Sequence, residues 1–141
     1  MGSEMCIRDR IGADEVIDLG RPFQLELFKS PQSRLLLRSP RYPGGYPDRV
    51  DLMFLNTEYI AIRDLLPDMT VTRVQPGSPE DLELIHTAQA LRHAGSPSIV
   101  FRVDCFSEGE LLRGHVIASS LWIARDTLGE DAPSRLIEDS K

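Results

Sequence analysis

The chain has 141 residues, 41% of them hydrophobic and 27% charged, with a formal net charge of −6. That length suits one domain with one core, and the composition excludes wholesale disorder. An acidic chain with dispersed arginines lacks the concentrated basic footprint of a nucleic-acid binder, so no nucleic-acid partner is expected.

Met1–Arg10 (MGSEMCIRDR) matches, codon by codon, the translation of a transposase-type sequencing adapter with a GTG start read as Met. The expectation is that these residues are not native, that the gene is bacterial and shotgun-sequenced, and that residues 1–10 stand outside fold reasoning. Removing them leaves the charge unchanged, because Glu4 and Asp9 balance Arg8 and Arg10, and it leaves Cys105 as the one native thiol. A lone thiol permits no internal disulfide and fits a reducing, cytoplasmic compartment. The longest nearly apolar run, Val116 to Ala124, is too short to span a bilayer as a helix, so no membrane partner is expected.

Residues 11–21 form a leader whose membership of the domain is open, and residues 22–141 are expected to be a single domain with a polar tail. Gly12–Asp18 (GADEVID) is similar to a stretch in the nucleotide-binding domain of medium-chain dehydrogenases. The likeness covers those seven residues alone. The strand–helix alternation of that fold is missing downstream, and no Gly-x-Gly-x-x-Gly succeeds a strand, so no cofactor is expected.

From Phe23 the dominant period is two. Phe23, Leu25 and Leu27 alternate with Gln24 and Glu26, and after Ser30-Pro31 the chain returns through Leu35 and Leu37. Antiparallel pairing sets Leu27 against Leu35 and Leu25 against Leu37, with Gln24, Glu26, Leu36 and Arg38 on the other, wetter face. A turn-rich loop, Tyr42–Pro47, leads to Arg49–Arg63, β-branched and aromatic with a turn near Asn56-Thr57, and then to the short strand Met69–Val74.

One segment is helical. Ser78 caps it, Pro79 suits its first turn, and Glu80, Asp81 and Glu83 place negative charge at the positive end of its dipole. Leu84, Ile85, Ala88 and Leu91 form its apolar stripe, and Gly95 its stop. Beyond it, Ile99, Phe101, Val103 and Cys105 share one strand face while Val100, Arg102 and Asp104 share the other. The return through Leu111 to Ala124 pairs Cys105 with Leu112, Val103 with Gly114, Phe101 with Val116 and Ile99 with Ala118. On the opposite face Asp104 meets Arg113 and Arg102 meets His115. The predicted architecture is α+β: an antiparallel sheet of about six or seven strands with one amphipathic helix on one face.

No catalytic constellation converges. Cys105 and His115 point to opposite faces, and His86 and His93 are too far apart along the helix for one zinc ion, roughly 10 Å of rise against bonds of about 2 Å. The carboxylates Asp48, Asp51, Glu58, Asp64 and Asp68 are expected to be scattered and solvated. Two binding candidates stand out. Arg34, Arg38 and Arg41 with Tyr42 and Tyr46 combine the residue types enriched at interaction hot spots, against the plainer reading of a turn-rich link. Arg102, Asp104, Arg113 and His115 form a polar patch, against the plainer reading of a wet sheet face. The expected function is a small bacterial binding or protein-interaction domain (accessory, adaptor or immunity-type), partnered by another protein. The alternative is an enzyme acting on a small molecule through a polar cleft. The sequence leaves the oligomeric state open.

Overall fold

The computed structural model describes residues 6–8, 16–18, 20–29, 33–40, 48–88 and 98–126. The strands are β1 (Cys6–Arg8), β2 (Val16–Asp18), β3 (Phe23–Lys29), β4 (Arg34–Ser39), β5 (Arg49–Leu55), β6 (Tyr59–Ala61), β7 (Leu65–Leu66), β8 (Thr70–Arg73), β9 (Ile99–Ser107), β10 (Glu110–Ala118) and β11 (Ser120–Asp126). The single described helix, α1 (Pro79–Ala88), lies between β8 and β9. Among the described residues every strand pairing is antiparallel, so the α+β class with one helix on a sheet face holds.

The strands divide between two sheets where the alternation implied one. Six form the order β1-β11-β5-β4-β3-β7 and five the order β2-β8-β9-β10-β6. The core lies between them: Phe23, Leu35, Leu37, Val50, Leu52 and Phe54 from one sheet meet Val71, Phe101, Val103, Cys105 and Val116 from the other. Phe54 and Phe101 meet edge to face at 5.2 Å between ring centroids, a preferred aromatic geometry.

Two corners make the partition. At Asn56, with φ of 52°, the chain leaves β5 for β6 of the opposite sheet, and at Ser119 it leaves β10 for β11. The corners bind each other: the Ser119 amide and hydroxyl both donate to the Leu55 carbonyl, at 2.9 and 3.0 Å, and the Asn56 side-chain amide donates to Ser119 Oγ at 2.9 Å. The uninterrupted return from Leu111 to Ala124 is therefore two strands. Its inward-facing positions change parity at the corner, from Leu112, Val116 and Ala118 to Leu121 and Ile123.

The β3–β4 hairpin keeps Leu25 opposite Leu37 and Gln24 opposite Arg38, but a bulge at Glu26 shifts the pairs nearer the turn. Leu27 consequently pairs with Leu36, and Phe28 takes the place opposite Leu35. One extra residue on one strand displaces every pair beyond it in this way. The outer face of the six-stranded sheet is also not wet. Leu36, Met53 and Ala124 form a second buried cluster there with Leu55 and Trp122, and Arg38, Arg49 and Asp51 are buried with them.

Within the doubtful leader, Val16–Asp18 pairs with β8 and buries Ile17 in the core. Cys6–Arg8 pairs with the edge of β11 that faces away from β5.

Helix α1 covers part of the outer face of the five-stranded sheet. Leu84, Ile85 and Ala88 pack on Val74, Val100 and Ile117, as the apolar stripe requires; Leu91 and Gly95 lie outside the described residues. Ser78 Oγ accepts from the Asp81 amide at 3.3 Å, and Asp81 Oδ2 accepts from the Gly77 amide at 2.9 Å. This reciprocal cap fixes where the helix begins, and hence where Glu80 sits.

Candidate functional site

The hairpin β9–β10 forms in the register that alternation dictates, with all nine pairs from Ile99–Ala118 to Ser107–Glu110 in step. Cys105 turns inward and is buried, and burial pushes its thiol above the ordinary value. His115, opposite Arg102, faces outward. Cysteine and histidine do not meet, and the thiol is a core side chain.

The outward face of the hairpin runs in rows from the helix to the tip. Nearest the helix, Val100 and Ile117 lie beneath α1. Next come Arg102 with His115, then Asp104 with Arg113, then Phe106 with Leu111. The four residues of the predicted polar patch are therefore brought together. Arg113 holds Asp104 through Nε at 2.8 Å and a second nitrogen at 3.3 Å. The hydrogen bond to Asp104 raises the Arg113 guanidinium still further from neutrality. Arg102 also approaches Asp104, at 3.6 Å.

A fifth member, Glu80, comes from the first turn of α1. Its Oε1 accepts from Arg102 at 2.7 Å, and its Oε2 accepts from His115 Nε2 at 2.8 Å. Burial disfavours its charge, but the hydrogen bond from His115 and the bond and charge of Arg102 outweigh burial and hold the carboxyl below its ordinary value. The sequence showed Glu80 only as a dipole-compensating residue of the first turn. Its reach to the sheet follows from the cap at Ser78, which sets α1 beside Arg102.

At the tip, Phe106 and Leu111 are 51% and 47% exposed, an apolar pair directly beyond the charged rows. Val16, 55% exposed, lies on the same face, since it pairs with Thr72 and Thr72 pairs with Arg102. The surface is thus a floor of mixed charge and apolar side chains, walled on one side by α1.

The second candidate group is not gathered in the described residues. Arg41, Tyr42 and Tyr46 lie outside them. Arg34 is half-buried on β4. Arg38 is buried, donating to Asp51 Oδ1 at 2.8 Å and approaching Glu26 at 3.7 Å, so it holds the sheet together rather than facing a partner. Asp51, expected to be solvated, is likewise buried, because it sits mid-sheet opposite Arg38 and Ala124. What the structure does add is a clamp at the base of that loop. Arg21, itself buried, donates to Ser39 Oγ (2.7 Å), to the Pro40 carbonyl (3.2 Å) and to both Asp48 Oδ1 (2.8 Å) and its carbonyl (2.7 Å). Burial works against the charge of Asp48, yet Arg21 and then Arg125 hold its carboxyl below the ordinary value.

Among the described residues no group of three His, Cys, Asp or Glu side chains could hold a metal ion, and no helix is long and apolar enough to cross a membrane. Comparison of the chain with protein-family models, with curated proteins and with solved structures finds no match.

Proposed function

We propose that this chain is a small binding or protein-interaction domain, of accessory, adaptor or immunity type in the bacterial cytoplasm, and that it engages another protein through the outer face of its five-stranded sheet. One observation carries the reading: Phe106 and Leu111 stand exposed and paired next to the Asp104–Arg113 ion pair, on the same face of one hairpin. Adjacent apolar anchors and oriented charges are what protein interfaces combine, the first supplying burial and the second register. A buried, neutral thiol belongs to packing and leaves recognition, not covalent chemistry, to the face behind it.

The test uses immobilised chain and a bacterial lysate. A partner should be retained by the wild type, lost with Phe106→Ser/Leu111→Ser, and kept by Leu25→Ser/Phe28→Ser, which alters exposed apolar residues elsewhere. Identical retention by all three proteins would refute the reading.

A further inference from the structure

Arg102 and His115 are directly opposed on adjacent strands, and each supplies one donor to a different oxygen of the same carboxylate. Two donors on a rigid hairpin that converge on both oxygens form a carboxylate fork, and Glu80 fills it from within the chain. The fork is not sealed. The side chains of Arg102, His115 and Glu80 are 27%, 17% and 28% exposed. Nor does the helix depend on Glu80 for its place, since Leu84, Ile85 and Ala88 pack on the sheet and Ser78 and Asp81 cap the first turn. Glu80 can therefore swing away while α1 stays where it is. With Glu80 in place the ion-pair cluster balances two arginines, Arg102 and Arg113, against two carboxylates, Glu80 and Asp104. With Glu80 displaced it carries one net positive charge.

We infer that Arg102 and His115 form a recognition site for an acidic side chain of the protein partner, and that Glu80 occupies it as an internal stand-in until that side chain displaces it. The inference rests on the outer face being the binding surface, and it specifies what that face reads. From the Arg102–His115 row to the Phe106–Leu111 row is four strand residues, roughly 13 Å at about 3.3 Å per residue. An extended partner segment lying along the hairpin would then place a carboxylate at one position and an apolar side chain four residues further on.

The experiment follows the ring signals of His115 by NMR at constant pH. The wild type, Glu80→Ala and Glu80→Ala/Arg102→Met are titrated with an end-blocked peptide carrying Glu and Leu four residues apart, and separately with acetate. Emptying the fork should make Glu80→Ala bind the peptide at least about tenfold more tightly than the wild type, whose own carboxylate competes at high effective concentration. The double variant should lose that gain, and acetate should bind more weakly than the peptide. Glu80→Ser, likewise too short to reach Arg102 and His115, serves as a second opened variant. The inference is overturned if neither opened variant responds to the peptide, if the response survives Arg102→Met, or if acetate binds as tightly as the peptide. None of these failures would affect retention of a partner through Phe106 and Leu111, so the broader reading is tested separately.

Discussion

Cys105 and His115 occupy one hairpin and face opposite ways: the thiol is 1% exposed and points between the sheets, while the imidazole lies outside against Glu80. The separation follows from strand parity, 105 and 115 being paired with 112 and 102 respectively. In a Cys6→Ser background, Cys105 should react with a thiol reagent at neutral pH at least about a hundredfold more slowly than in denaturant, because reaction awaits opening of the sandwich. Rapid native-state labelling would place the thiol at the surface.

The Glu80 contacts set a pH dependence with a definite sign. Its folded-state carboxyl is held below the ordinary value, so its contribution to stability is present above the unfolded value of about 4.3 and is lost as pH falls through the folded one. Glu80→Gln should cost about 0.5–1 kcal/mol at pH 7, as expected of a partly exposed ion pair. The wild type and variant should converge in urea denaturation as the pH drops below about 4. A gap that persists well below about pH 4 contradicts the assignment.

Arg38 and Asp51 form a buried pair on the outer face of the six-stranded sheet, with side chains 6% and 1% exposed. Asp51→Ala should destabilise by about 3–5 kcal/mol, since it removes the buried carboxylate that two buried guanidiniums, Arg38 and Arg49, face. Replacing both, as Arg38→Met/Asp51→Leu, should recover only part of that loss, because Asp51 also faces the buried Arg49 guanidinium at 3.8 Å. Chemical denaturation of the three variants measures it. Equal losses for the single and double variants would mean that the pair does not act as a unit.

Residues 61–62 pass close against β10 at Gly114. A Cβ there would collide with the Ala61 carbonyl oxygen and press on Ile62. Backbone cannot yield as a flexible side chain can, so Gly114→Ala should cost about 1–3 kcal/mol. Gly109→Ala meets open space, but its φ of +80° makes it a strain control without a clash. A harmless Gly114→Ala in thermal unfolding would show that β6 does not approach β10 so closely.

The hairpin was legible in the sequence because Ile99, Phe101, Val103 and Cys105 alternate without a break and a single loop joins the strands. With the register came the polar patch. The division into two sheets was harder to read, because a corner costs only one or two residues. Its trace was the parity change between Ala118 and Leu121, masked by a run of small and apolar residues. The burial of Arg38 and Asp51 could not be read from their own strands. Each looks wet beside its neighbours, and only the cross-strand pairing joins them. Glu80 was missed for a similar reason: its partners lie more than twenty residues away. Local pattern fixes the helix, not what the helix lies beside.

Photo-cross-linking in bacterial cells expressing the chain tests the assignment of the binding face most directly. Benzoylphenylalanine is placed singly at positions 106, 82 and 28, three exposed apolar sites on the hairpin tip, the outer side of α1 and β3. A covalent adduct to a second protein is expected from position 106 and none from 28 or 82. Adducts from 28 or 82, with none from 106, would move the interface off this hairpin and contradict that assignment.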